Sequence, residues 1–243
     1  MSRFLRRLSM AAGLALLMWA PAAQTSLRVN PLIVNMAPTG QGSSSVVQLT
    51  NVTDADLPLE VTVVKRTVVD GAEVDVAADD DFIIFPPQMI LKPGQTQALR
   101  IQWVKGAVPA TSESYYVYVT QIPAPLNAGM SGVKVSYRFG ISVHMVPPGV
   151  MPNLQVVGIK AALDQEGKPG FELTVRNAGT AYARMVEHEM TIGKAAHTWS
   201  RDDIKKIIGT GFMLPGQQRT FFVPFEGEAP APSMLSIEYR GAA

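Results

Sequence analysis

From Val133 to His144 the sequence alternates without a break: Val133, Val135, Tyr137, Phe139, Ile141 and Val143 are apolar, and every residue between them is polar or glycine. Side chains of an extended strand point to opposite faces in turn, so a period of two writes a β-strand with one apolar and one polar face. Twelve residues of this pattern exceed the usual strand of about five or six. The residues allow two uses of such a strand. Its apolar face packs wholly into its own domain, or part of that face and the strand edge are offered to another protein.

The same period, enriched in β-branched residues, recurs over 27–36, 45–51, 58–66, 73–76, 82–84, 96–104 and 115–122, the signature of half-buried strands. Turn residues cut it at Asp54-Ala-Asp56, Asp70-Gly71, Phe85-Pro86-Pro87, Lys92-Pro93-Gly94 and Pro123-Ala-Pro125, and Asp-Gly between two such runs is a strong hairpin signal. Pro147-Pro148-Gly149, followed by Pro152, stops the longest strand and has the composition of a short, semi-rigid hinge. Beyond it, 154–163, 170–176, 182–192, 197–199, 218–222 and 233–239 read as strands and 202–208 as one short helix. The expected fold is all-β, two sandwiches spanning 23–147 and 148–243, within the usual size range of domains.

Residues 1–22 stand apart. Arg3, Arg6 and Arg7 precede the apolar run Met10–Ala20, which exits through Ala20-Pro21-Ala22, the layout of a secretory signal peptide and too short a run to span a bilayer. Removing it takes three of the 21 basic residues and none of the 20 acidic ones, leaving a mature net charge of −2. An exported, periplasmic or secreted chain is expected, with neither the basic footprint of a nucleic-acid binder nor a segment for membrane insertion. The chain has no cysteine, which excludes disulfides, thiolate metal sites and a thiol nucleophile. His144, His188 and His197 lack metal-ligand spacing and read as surface histidines, and Asp79-Asp80-Asp81 lacks the alternation of a calcium loop and reads as solvated. No nucleophile motif or assignable carboxylate pair occurs, so the expectation is a protein that is not an enzyme, without catalytic residues, metal or cofactor.

Several motifs occur in one order: Phe85-Pro86-Pro87; Leu91-x-Pro93-Gly94-x-x-Gln97-x-Leu99-Arg100-Ile101; Ser112-Glu113-Ser114-Tyr115-Tyr116; Ile122-Pro123; then the alternating strand ending at Pro147. Together they resemble the first domain of the periplasmic chaperones of the chaperone–usher pathway. Leu173-Thr-Val-Arg-Asn-Ala-Gly-Thr-Ala-Tyr-Ala183 and Met213-Leu-Pro-Gly216 extend the resemblance into the second domain. It implies two immunoglobulin-like sandwiches in a boomerang, with fimbrial (pilin) subunits and an outer-membrane usher as partners, and leaves open a self-capping homodimer for the free protein. The chaperone's last first-domain strand would complete the subunit's unfinished sandwich. Val133, Val135, Tyr137 and Phe139 are the expected donor residues, with Ile141 and Val143 in the interdomain region. The loop 124–132 is similar to the short-loop branch.

The departures are equally specific. The family anchors the subunit's terminal carboxylate with an Arg on the first strand and a Lys on the last, where this chain has Ile33 and Ser142. Arg100 and Arg138 are the remaining candidates, since a carboxylate favours the planar donor fork of arginine. Val146 replaces a basic residue that helps set the interdomain angle in relatives, and these differences suggest an alternative or archaic branch. The competing function is a structural or adhesive β-sandwich surface protein.

Overall fold

The computed structural model describes residues 26–123, 136–194 and 196–241; the expected signal peptide, Val133 and Val135 lie outside them. The first part of the chain forms β1 (Leu27–Asn30), β2 (Ile33–Met36), β3 (Ser44–Asn51), β4 (Leu57–Val69), β5 (Ala72–Ala77), β6 (Phe82–Phe85), β7 (Gln88–Leu91), β8 (Thr96–Trp103), β9 (Glu113–Gln121) and β10 (Arg138–Met145). One sheet runs β1-β3-β8-β6 and the facing sheet β2-β10-β9-β4-β5, with β7 also paired to β4. The expected first strand, 27–36, is in fact two. Proline cannot donate to a strand ladder, and at Pro31 the chain leaves β3 in one sheet for β10 in the other.

The alternation of the sequence becomes the core of this sandwich. Leu49, Leu99, Ile101, Val117 and Val119 are fully enclosed between the sheets, together with Ile141 and Val143. These last two are therefore in the core of their own domain and not at the domain junction. Asp70 and Gly71 both take positive φ, as a two-residue type I′ hairpin turn requires. The Asp79–Asp81 stretch is not simply solvated. Asp79 accepts a bond from the Val63 amide, while Asp81 and Glu113 flank the buried Tyr115 hydroxyl at 2.7 and 2.6 Å, each also meeting a lysine, Lys105 and Lys65. Burial, then the two carboxylates, pushes the Tyr115 hydroxyl far up, which keeps it a donor.

The second part forms β11 (Leu154–Leu163), β12 (Pro169–Asn177), β13 (Ala183–Arg184), β14 (His188–Ile192), β15 (His197–Trp199), α1 (Arg201–Ile207), β16 (Phe212–Met213), β17 (Gln218–Pro224) and β18 (Leu235–Tyr239). Its sheets run β11-β12-β17, β13-β16 and β15-β14-β18 around a separate core that includes Phe171, Leu173, Val175, Trp199 and Val223. A 3₁₀ turn at Met185–Glu187 divides the strand expected over 182–192. Helix α1 starts from a reciprocal capping box between Ser200 and Asp203.

The two parts touch through a few specific groups. The Ser112 amide donates to the Thr180 carbonyl at 2.8 Å, the Tyr182 amide donates to Ser112 Oγ at 2.7 Å, and the Tyr182 hydroxyl donates to Asn35 at 2.9 Å. Beside them the His144 ring stacks 4.2 Å from Tyr182 and 5.3 Å from Phe212. His144 is 2% exposed and His188 is 1% exposed, so neither is the surface histidine that spacing suggested. A half-apolar imidazole sits readily among rings when one nitrogen has a partner, here Ser114 Oγ at 2.9 Å.

Burial, and then the charges of Arg66 and Arg184, lower the His144 pKa from 6.5 to about 3. A histidine held neutral in the fold takes up its proton only on unfolding. Its stabilising contribution is therefore complete above pH 6.5 and is lost as pH falls from there toward about 3, at about 1.4 kcal/mol per pH unit. Urea denaturation between pH 7 and 4 will show a falling midpoint, and His144→Gln will flatten that fall; an unchanged slope in the variant would refute the assignment.

Candidate functional site

Strand β10 has unequal neighbours. It pairs with β9 along its whole length, Arg138 opposite Thr120 through Met145 opposite Glu113. On its other side β2 runs parallel only from Ile33 opposite Ser142 to Met36 opposite Met145. The Gln121 amide bonds the Tyr137 carbonyl, whereas the Ser142 and Val146 amides bond Leu32 and Met36. Strand backbone groups alternate in direction, so odd residues face β9 and even ones face β2. By that alternation the backbone groups of Arg138 and Gly140 point to an edge where, among the described residues, no strand follows.

The side chains at this end divide in the same way. Tyr137 is 41% exposed and lies 6.4 Å from the Phe139 ring, which is half-buried against the domain's own core. Of the four expected donor residues, the described structure thus places Tyr137 free of the core and Phe139 at its border. The even residues lie on the outer face of the sheet. There the Arg138 guanidinium covers the Tyr118 ring at 3.5 Å, and Tyr118 leans on Tyr116 at 5.4 Å. Gly140 makes room for them, since a Cβ on it would stand 3.2 Å from Tyr118 Cε1 and 3.5 Å from Tyr116 Cδ1. A side chain here would press on the Tyr118 ring, so glycine lets that ring lie close to the backbone.

The two positions at which the resemblance led to the expectation of cations, Ile33 and Ser142, are register partners on the adjacent strands β2 and β10. Ile33 is exposed, so an apolar side chain stands where a charge was expected. The replacement candidates are not brought together. Arg138 shares the outer face with Ser142, two rows away. Arg100 lies on β8 in the other sheet, its Nε 3.2 Å from Ser44 Oγ and its strand position opposite Val46 and Phe85. Sequence reasoning passed over Arg66, a cation at the domain junction, because nothing in its local pattern distinguishes it from an ordinary strand arginine. It is 8% exposed, paired with Glu73 at 2.5 Å. Among the described residues no cluster of ligating side chains fit for a metal occurs, and no helix is long and apolar enough to cross a membrane.

Residues 26–151 match the family described as pili and flagellar-assembly chaperone, PapD N-terminal domain. Among solved structures the chain is similar to one from the CsuC-CsuE chaperone-tip adhesion subunit pre-assembly complex of the archaic chaperone-usher Csu pili of Acinetobacter baumannii. That likeness has a TM-score of 0.56 at 17% identity, covering 84% of this chain and 89% of that one. It is also similar to a structure of the Salmonella enterica SafA pilin in complex with the SafB chaperone, with TM-score 0.52, 16% identity and coverage of 84% and 86%. A third likeness is to the E. coli chaperone DraB, with TM-score 0.50, 20% identity and coverage of 84% and 88%. Identities this low speak for the fold alone. Comparison with curated proteins gives no significant match. With an all-β immunoglobulin-like architecture and a family match across more than half of its length, this chain belongs to the pilus-assembly chaperones of the chaperone–usher pathway, which are binding proteins and not enzymes.

Proposed function

We propose that this protein is an exported periplasmic chaperone that captures fimbrial subunits by donor-strand complementation, caps them, and delivers them to an outer-membrane usher. The open half-edge of β10 carries this reading. Backbone groups at Arg138 and Gly140 that have no strand partner among the described residues, beside the exposed Tyr137, are what an incomplete sandwich needs to gain a strand. The signal-like residues 1–22 support export to the periplasm. In this scheme Val133, Val135 and Tyr137 enter the subunit's apolar groove, Phe139 marks the boundary where the strand returns to its own core, and the edge left open in the free protein is where a second copy would cap it.

Arg138 is the better placed of the two candidate partners for a subunit carboxylate, because it lies on β10 between the expected donor residues Tyr137 and Phe139, whereas Arg100 belongs to the opposite sheet. Guanidinium stacking on Tyr118 orients its donor fork.

A carboxylate forced into an apolar groove forfeits about 1.5–3 kcal/mol of side-chain burial and adds a desolvation penalty. Val135→Asp and Tyr137→Asp will each reduce the amount of subunit co-purified from the periplasm at least tenfold, while Val157→Asp, on an exposed position of the second domain, will not. Unaltered recovery in both donor variants would sink the proposal. For the anchor, Arg138→Ala will weaken binding of a purified subunit severalfold and Arg100→Ala will leave it near the parent value, as read by titration calorimetry.

A further inference from the structure

Arg66 of β4 stands opposite Ser114 of β9, which stands opposite His144 of β10, so the three form one cross-strand row on the outer face of the sheet. This row meets the second domain. The Arg66 guanidinium lies 4.5 Å from the ring of Tyr116 in its own domain and 4.0 Å from that of Phe212 on β16. Phe212 continues the stack to His144 at 5.3 Å and Tyr182 at 5.5 Å. Among the described residues no ion pair crosses between the two domains: Arg66 pairs with Glu73, Arg184 with Glu187, and the other pairs likewise stay on their own side.

We propose that Arg66, clamped by Glu73 and stacked between Tyr116 and Phe212, is the positioning residue that sets the angle between the two sandwiches. The hydrogen bonds from Ser112 and Asn35 all end on the short segment 180–182. Such an attachment fixes a place and leaves rotation about it. Phe212 lies on another strand, and two separate attachments remove that rotation. A guanidinium suits the task because it is planar, weakly hydrated and attracted to ring faces, while a lysine ammonium is a compact, strongly hydrated charge. Glu73 supplies the counter-charge that a buried cation needs. The guanidinium is itself buried, so added salt screens the contact less than it would a surface ion pair.

The consequence extends to the open strand edge. Tyr116, under Arg66, touches Tyr118, and Tyr118 carries Arg138, so one ladder of rings and cations runs from the domain junction to the end of β10 that remains unpaired.

The test uses the full chain, isotopically labelled and without any subunit, so that its outcome is independent of whether donor-strand capture is correct. Residual dipolar couplings are fitted to each domain separately in the parent, Arg66→Met, Arg66→Lys, Phe212→Ala and Phe212→Leu, with amide spectra reporting that each domain stays folded. In the parent one alignment tensor will describe both domains, in 1 M sodium chloride as at low salt. In Arg66→Met and Phe212→Ala the tensor magnitudes of the two domains will differ at least twofold, and the double variant will do no more than either single one. Phe212→Leu, which keeps an apolar side chain, serves as the folded version if Phe212→Ala loses its domain, and will show the same divergence to a smaller degree. Arg66→Lys will behave as Arg66→Met. A common tensor retained in Arg66→Met and the folded Phe212 variant overturns the proposal, and one retained in Arg66→Lys overturns the stacking on which it rests.

Discussion

Strand β10 belongs to a core along its odd residues and to an edge along its backbone, and this double use organises the first domain. Ile141, Val143 and Met145 are sealed between the sheets, which pins the register, because a slip by one residue would turn every apolar side chain outward. The same strand is covered by β2 only from Ser142 onward. The cause is local: the chain changes sheets at Pro31, so among the described residues no strand continues β2 backward along Arg138–Ile141. A firmly held second half thus presents an uncovered first half in a fixed direction.

An exposed strand edge is a hazard in most proteins, since it pairs with any available strand. Here the hazard is confined to a few residues. The polar face beside it is closed by Arg138 over Tyr118, and Gly140 lets the rings settle against the backbone. A network of Lys65, Lys105, Asp81 and Glu113 around the buried Tyr115 ties together the far end of the same sheet. Burial alone would raise the Glu113 carboxyl, but hydrogen bonds from Lys65 and Tyr115 hold it below its ordinary value, so the ion pair stays charged.

The domain junction shows a different economy. The resemblance implies a basic residue at the position of Val146 that helps set the interdomain angle, and this chain has an apolar one there. In its place are rings, a neutral histidine and one guanidinium whose charge is answered within its own domain by Glu73. Stacked rings are short-ranged and directional, so they resist rotation in a way that exposed ion pairs at ordinary salt do not.

Residue periodicity alone determined much of this protein. The alternation at 45–51, 96–104 and 115–122, the Asp70-Gly71 turn and the second-part strands at 154–163, 170–176, 197–199 and 218–222 were legible because side-chain direction in a strand depends only on the parity of sequence position. The motif set around Phe85-Pro86-Pro87 and Leu99-Arg100-Ile101 pointed to the family, and the absence of cations at Ile33 and Ser142 was visible as well. Pattern does not report which strands become neighbours, and this is where expectations failed or stopped. The splitting of 27–36 between two sheets, the burial of His144 and His188, and the placement of Arg100 and Arg138 on different sheets all depend on contacts between residues far apart in sequence. Arg66 is the clearest case: its role at the junction arises from a ring 146 positions away, and only the packing of one folded domain against the other brings that ring to it.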